Sequence, residues 1–418
     1  MKKIFLVFIL TTIFLFSFSE VFKEKISKNV ELLYNYVPEN DISAVTIFIE
    51  GGSLNYDYEK SGIENLIFRL VEKCGKNYSE SKMNELMDKY FVNVSYENSY
   101  DYSSFTFSTL NKYLFDVTKI FADNFKEPNF SDEILKKEKD KMIDEIKSKE
   151  EDPDELLYLK LNDYFFKNHP YIANPEGYIE TVQNLKSIDL YDHLKKIFSS
   201  RRVIISVVSG VPFKEVKKFF KENFGFINGK VEKVESLKNF NLCEGDTLLK
   251  YEKGGLQTKY LGCKFKVPSI KDKEYLPVRV GLSILSKRVY ETLRTKHGLT
   301  YAAYVGASNK LANYGVFYVS TPYPDSAMKL YRDEVEKVKK EGIKQEEIDD
   351  MKNIYQTSFF LDNERISNRS FALGYNYLLF NDYEYDIKFI KELEKLKSKT
   401  VTDAVSKYLK DFKFILVE

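Results

Sequence analysis

The chain has 418 residues, and its 64 Lys and Arg nearly cancel 63 Asp and Glu, leaving a formal charge of +1. Neither sign is gathered into a long block, so nucleic acid and an anionic membrane are excluded as expected partners. The length is too great for a single ordinary domain and suits two or more.

Met1-Lys2-Lys3, an apolar run from Ile4 to Phe16, and then Ser17 and Ser19 have the charge, length and tail of a secretory signal peptide over residues 1–19. The run is short for a membrane span, and no Cys follows it to carry a lipid. The expectation is an exported protein, periplasmic or extracellular after cleavage near Ser19-Glu20, with no stable membrane anchor. Cys74, Cys243 and Cys263 lack C-x-x-C spacing, which suits buried thiols better than a disulfide framework. The absence of Trp and the abundance of Lys and Glu fit a heat-adapted source.

Val45, Ile47 and Ile49 alternate with Thr46, Phe48 and Glu50 as in a strand. Ile63, Leu66, Ile67, Leu70, Val71 and Cys74 recur at i, i+3, i+4, i+7, forming the apolar stripe of a helix over 62–74. Its opposite face carries Asn65, Phe68, Arg69 and Glu72, where Phe68 is out of place. A helical run over Ser79 to Lys89 follows, then two stretches rich in Tyr, Phe, Val and Thr, Val92 to Asn98 and Tyr102 to Thr109, that suit paired strands. Helical periodicity returns over Tyr113 to Asn124 and in the charged run from Ser131 to Lys149.

The second half repeats the first. Ser103 to Thr109, a helix, and then Phe130 to Leu135 parallel Tyr314 to Thr321, a helix, and Ile343 to Ile348. The expected fold class is α+β, with two tandem homologous domains, each a mainly antiparallel sheet with helices on one face. Their boundaries are 20–228 and 247–418, joined by a linker over 229–246.

Gly51-Gly52-Ser53, an acidic and aromatic run, then Gly62-Ile63 and a helix resemble the entry to the pitrilysin/insulinase family of inverzincins. That likeness extends over Asn168-His169-Pro170-Tyr171, Gly177, the Asn184-Leu185 stretch and the strand-like end of Ser200 to Gly210. In that family the helix carries H-x-x-E-H, two zinc-binding histidines and a glutamate that activates the metal-bound water. The corresponding positions here are Asn65, Phe68 and Arg69. An amide is a poor zinc ligand, a phenyl ring takes no proton from water, and a guanidinium repels a cation. The resemblance makes Glu145 the remnant of the third ligand and Glu138 its supporting carboxylate. The expectation is therefore no metal and no catalytic residue in this chain, with Arg69 paired to Glu145, Glu138 touching that pair, and Phe68 covering the catalytic-water position. His169, His193 and His297 share no short spacing that would build another zinc site.

The resemblance also implies what is kept. Arg294 and Tyr301, seven residues apart in Leu293-Arg294-Thr295-Lys296-His297-Gly298-Leu299-Thr300-Tyr301, match an Arg and Tyr that reach toward substrate. Both can donate hydrogen bonds to a peptide carbonyl or its oxyanion. Asn93, Val94 and Ser95 fall where the family places an edge strand that takes an extended peptide. The implied function is a non-catalytic, substrate-holding subunit, with a pitrilysin-type partner chain carrying the zinc in a heterodimer. The alternatives are a homodimeric or scaffold pseudoenzyme that binds no peptide, and a hydrolase with a nonstandard metal site.

Overall fold

The computed structural model describes residues 20–234 and 244–418; the expected signal segment and Cys243 lie outside them. The first half contains strands β1 (Val21–Lys25), β2 (Val30–Tyr36), β3 (Ile42–Glu50), β4 (Asn93–Asn98), β5 (Tyr102–Leu110) and β6 (Val203–Ser209). Its helices are α1 (Ile63–Lys73), α2 (Glu80–Lys89), α3 (Leu114–Lys126), α4 (Asp132–Glu151), α5 (Pro153–Phe165), α6 (Ile179–Asn184), α7 (Ser187–Ser200) and α8 (Phe213–Phe224). The second half contains β7 (Thr247–Tyr251), β8 (Lys259–Lys266), β9 (Ala302–Ala307), β10 (Tyr314–Thr321) and β11 (Lys413–Val417). Its helices are α9 (Tyr275–Tyr290), α10 (Pro324–Glu341), α11 (Gln345–Glu364), α12 (Ile366–Phe380), α13 (Tyr385–Glu394) and α14 (Ser398–Tyr408). None of the helices among the described residues is long and apolar enough to cross a membrane.

The sheet orders are β1-β2-β6-β3-β5-β4 and β7-β11-β8-β10-β9. Each has one parallel pair, β2 with β6 and β7 with β11, and is otherwise antiparallel. Apart from β1 the two orders coincide strand for strand, so the repeat read from the sequence is a repeat of topology. It places β5 and β10, the two stretches that carried the repeat, at the same position in their sheets.

β6 reads Val-Ile-Ile-Ser-Val-Val-Ser and is buried throughout, as is β3 apart from its ends. A β-branched run of this kind suits a central strand covered on both faces. One face packs on the half's own helices, where Val45, Ile47 and Phe105 meet Leu66, Ile67 and Phe121. The other receives α12 from the second half, whose Leu373, Tyr377 and Leu378 pack on Leu33, Phe48 and Ile204. Gly374 permits this approach: a Cβ there would lie 2.4 Å from the Phe48 ring. Ser206 Oγ donates to the Ser370 carbonyl (2.6 Å), and Ser370 Oγ donates back to the Ser206 carbonyl (2.9 Å), so the polar groups on this face are satisfied.

The exchange is reciprocal. From the first half, α5 sets Leu157 and Leu161 against Tyr318, Ile415 and Val417 of the second sheet. Gly262 on β8 makes room, since a Cβ would stand 3.0 Å from Leu161 and 3.2 Å from Leu157. Helices on one face thus describes each half taken alone, and a helix lent by the other half covers the second face.

Under α5 lies Lys264, 2 % exposed, donating to Asn162 Oδ1 with its ammonium 4.0 Å from the Tyr314 ring centre. Burial lowers its pKa from 10.5 to about 7, with the Asp163 carboxylate opposing that shift. The unfolded chain keeps this proton to higher pH than the folded one, so unfolding takes up a proton between about pH 7 and 10.5. Stability relative to a Lys264→Met variant should therefore rise with pH in that window, by at most about 1.4 kcal/mol per unit, and be flat below it. Urea denaturation of both proteins across that range checks this; parallel pH profiles would reject it.

Candidate functional site

α1 begins at Gly62, whose φ of +86° is a left-handed conformation that suits glycine. A Cβ there would also lie 2.9 Å from the Gly177 Cα, so two glycines let the 177 loop close over the helix entry. The predicted stripe Ile63, Leu66, Ile67, Leu70, Val71 and Cys74 is buried. The opposite face is not the solvated surface expected of it, because α4 and β4 pack there; Asn65 is 8 % exposed and Phe68 is fully buried.

Arg69 meets Glu145 in a bidentate pair, Nη1 to Oε1 at 3.0 Å and Nη2 to Oε2 at 2.5 Å, and its Nε donates to Asn65 Oδ1 at 3.1 Å. Two of the three vestigial motif positions are thereby joined to the third-ligand position. Glu145 remains 53 % exposed, so the pair is a surface ion pair and not a buried one. Its coupling free energy should be about 0.5–1 kcal/mol in a double-mutant cycle of Arg69→Ala and Glu145→Ala followed by chemical denaturation; no coupling would mean that the pair adds nothing to stability.

Two expectations need correction. Glu138 does not touch Arg69: it is 1 % exposed and is held by Lys73 at 2.5 Å and Lys141 at 2.9 Å. Burial works to raise its pKa, but the two ammonium groups outweigh this and hold it below the ordinary carboxylate value. Phe68 does not cover a water position. Its ring enters the core edge-on to Phe105 (5.8 Å between centres) and Phe125 (6.0 Å), because burying an aromatic ring between helix and sheet is more favourable than leaving it at the surface.

These residues do not fit zinc. Asn65 and Glu145 are engaged by a guanidinium, Phe68 supplies no donor atom, and Arg69 would place a fixed positive charge beside the ion. No group of three His, Cys, Asp or Glu able to hold a metal occurs among the described residues. Cys74 and Cys263 are buried free thiols.

A buried polar cluster escaped the sequence reading. Glu64, with no exposed surface, accepts from Asn55 Nδ2 (3.0 Å) and from Ser103 Oγ, and its Oε1 lies 2.9 Å from His193 Nε2. Arg201 Nε donates to Asn55 Oδ1 at 2.6 Å and extends the cluster. One signal was available: His193 falls on the apolar stripe of α7 with Leu190, Leu194 and Ile197, all buried.

β4 is an edge strand of the first sheet, hydrogen-bonded to β5 alone, and Asn93 and Ser95 are exposed while Val94 is half-buried. Tyr96 ties this edge to α1, its ring edge-on to Phe68 with centres 6.5 Å apart. The open edge and the vestigial motif are therefore neighbours.

Arg294 lies in a π-helical turn, Glu291–Lys296, that prolongs α9. It donates from Nη1 to the Thr300 carbonyl (3.1 Å), and its guanidinium carbon is 4.1 Å from the Tyr301 ring centre. Thr300 Oγ1 donates to the Ser320 carbonyl (2.6 Å) and accepts from the Ala302 N–H (2.9 Å), which fixes the turn. Tyr301 is 85 % exposed. Arg294 and Tyr301 are thus brought together, but among the described residues no hydrogen bond, ion pair or ring contact joins them to Arg69, Glu145 or β4.

Two sheet-and-helix halves related by a repeat, with an ion pair on the helix where the resemblance places zinc ligands, define a metallopeptidase-type fold. Residues 31–175 match the insulinase (peptidase family M16) domain and residues 184–355 the peptidase M16 inactive domain. The chain belongs to the insulinase, or peptidase M16, family. It is similar to the non-peptidase homolog YmxG of Helicobacter pylori, 23% identical over 381 residues and spanning 88% of this chain and 87% of that one. It is likewise similar to the zinc protease PqqE of Helicobacter pylori, at 23% over 383 residues, 88% of this chain and 85% of that one. Among solved structures, a protease from Helicobacter pylori superposes with a TM-score of 0.85 at 19% identity, covering 96% of this chain and 100% of that one. A peptidase M16 inactive domain from Pseudomonas fluorescens gives 0.84 at 17%, covering 95% and 98%.

Proposed function

We infer that this chain is a substrate-holding subunit, not catalytic by itself, which pairs with a zinc-bearing chain of the same family and supplies Arg294 and Tyr301 to an extended peptide. The observation that carries this reading is the pre-assembled Arg294–Tyr301 pair: the guanidinium is oriented by a backbone carbonyl, and the phenol beside it is exposed and has no other partner among the described residues. A side chain as large as Tyr at this exposure contributes little to the fold, whereas a donor pair held in place suits a carbonyl arriving from outside. The edge of β4 adds a backbone template that would grip peptide without reading its sequence. Zinc would belong to the partner, and the pair would act after export, in the periplasm or outside the cell.

The test is to purify the chain with whatever M16-type partner accompanies it. The isolated chain should hold no stoichiometric zinc and cleave no peptide, while the reconstituted heterodimer cleaves peptides with metal on the partner. A homodimer that binds no peptide would favour the scaffold alternative instead.

A further inference from the structure

The outer edge of β7 is uncovered where its counterpart in the first half is covered. The two sheets align strand for strand once β1 is set aside, which makes β2 and β7 equivalents. The register fixes the match residue by residue: Leu32 lies opposite Ile205 and Ile205 opposite Ile47, as Leu248 lies opposite Phe414 and Phe414 opposite Cys263. Leu32 and Leu33 therefore correspond to Leu248 and Leu249. In the first half β1 pairs antiparallel along β2, and Leu32 and Leu33 have no exposed surface. In the second half, among the described residues, no strand but β11 pairs with β7, and Leu248 and Leu249 are 39 % and 37 % exposed.

Open edges are normally blunted by charge. β1, the open edge of the first sheet, reads Val-Phe-Lys-Glu-Lys; β7 reads Thr-Leu-Leu-Lys-Tyr, and its one lysine is held by Glu418 at 3.2 Å. The direction of the backbone groups says what fits there. The Thr247 N–H donates to the Phe412 carbonyl and the Tyr251 carbonyl accepts from the Glu418 N–H, so residues 247, 249 and 251 turn their backbone toward β11. By alternation Leu248 and Lys250 turn theirs outward, two N–H and two C=O groups. An antiparallel second copy of β7 centred on Leu249 satisfies all four. Leu248 then faces Lys250 of the second copy and Lys250 faces its Leu248, each pair exchanging two hydrogen bonds, while the two Leu249 side chains meet on the axis. No like charges stand directly opposed in this register, and a two-fold pairing closes at the dimer.

We propose that β7 is an interface between two copies of this chain, pairing antiparallel about Leu249 and joining two five-stranded sheets into one of ten strands. β7 and β9 are opposite edges of their sheet, so this contact leaves Arg294 and Tyr301, which precede β9, open to a zinc-bearing chain. The contact is measured on this chain alone, so its outcome is separable from that of the substrate-holding reading.

Sedimentation velocity of the chain from Glu20 onward, over about 1–100 µM, should show a reversible monomer–dimer equilibrium with a dissociation constant of about 10 µM, the strength of a short interface. Leu248→Pro removes an outward N–H, leaves the bonds to β11 in place, and should raise that constant about tenfold or more, since the loss occurs twice about the axis. Leu249→Lys sets two ammonium groups against each other on the axis and should weaken the dimer about as much, with the parent melting transition retained. Cys74 and Cys263 are buried, so in a Cys243→Ser background Leu249→Cys supplies one accessible thiol per chain. Mild oxidation should join two such chains by a disulfide, because residues meeting at the axis form a close pair, about 4.5 Å between Cα atoms. Thr247→Cys, whose two copies would lie about 13 Å apart along the strands, should not crosslink. The two Leu249 variants keep the test decisive if the proline unfolds the strand. A chain monomeric throughout, a dimer indifferent to Leu249→Lys, or an edge that pairs only with a zinc-bearing chain would overturn the proposal.

Discussion

Replacing Arg294 by alanine should lower the turnover of the assembled peptidase complex by about 10²-fold or more while this chain keeps its fold. The expected size follows from what the side chain would do. A positioned donor to a developing oxyanion acts where charge grows in the transition state, so its loss falls on kcat/KM and chiefly on kcat. The fold should survive because Arg294 makes one hydrogen bond to its own turn, to the Thr300 carbonyl, and that turn is also fixed by Thr300 Oγ1. Tyr301→Phe provides the matching control: it removes the phenolic donor but leaves the ring on which Arg294 rests, 4.1 Å away. A smaller loss in that variant is expected. Unchanged kinetics of Arg294→Ala in a correctly assembled heterodimer would remove the proposed role.

Glu64→Leu should be the most damaging single change to stability, costing about 3–5 kcal/mol. The carboxylate is the common acceptor for Asn55 Nδ2, Ser103 Oγ and the His193 ring, and all four residues are buried. Removing it takes the acceptor from Ser103 Oγ, from the His193 ring and from one N–H of Asn55 Nδ2, whose other bond goes to the Glu50 carbonyl at 3.1 Å, and each buried group left unsatisfied costs about 1–3 kcal/mol before any relaxation. A leucine of similar volume would fill the space, so the loss reports the polar imbalance and not a cavity. Glu64→Gln, which keeps one acceptor oxygen, should cost less. Chemical denaturation of the three proteins tests the ranking, and a Glu64→Leu chain as stable as the parent would show that the cluster is dispensable.

The contrast between Glu64 and Arg69 shows what was legible in the sequence. Strand alternation and helical spacing are local patterns, so β3, β4, β5 and the α1 stripe could be read directly, and the similar order of elements exposed the repeat. The ion pair of Arg69 with Glu145 was accessible because the resemblance brought two distant helices together. Glu64 was not, since a glutamate beside an apolar stripe usually faces water and its partners come from Asn55, Ser103 and a helix more than a hundred residues on. Phe68 departs from its expected place over the catalytic-water position for a related reason: periodicity does not show that α4 and β4 cover the face opposite the stripe, where the ring turns into the core against Phe105 and Phe125. Nor does periodicity say which sheet a helix will cover, so the crossing of α5 and α12 became visible only in three dimensions.

That crossing bears on how such a chain could lose its chemistry and persist. With Leu157 and Leu161 of one half seated on the sheet of the other, and Leu373 and Leu378 returning the arrangement, the molecule is in effect a swapped dimer fused into one polypeptide. The α12 half of the clasp lies on the face of the first sheet turned away from α1, so it does not touch the residues where the resemblance places zinc. Drift at Asn65, Phe68 and Arg69 could therefore proceed without unlatching the fold. The same clasp makes the halves inseparable: a fragment ending between β6 and β7 would expose the apolar sheet face that α12 normally covers, and would be driven to aggregate or to recapture its other half.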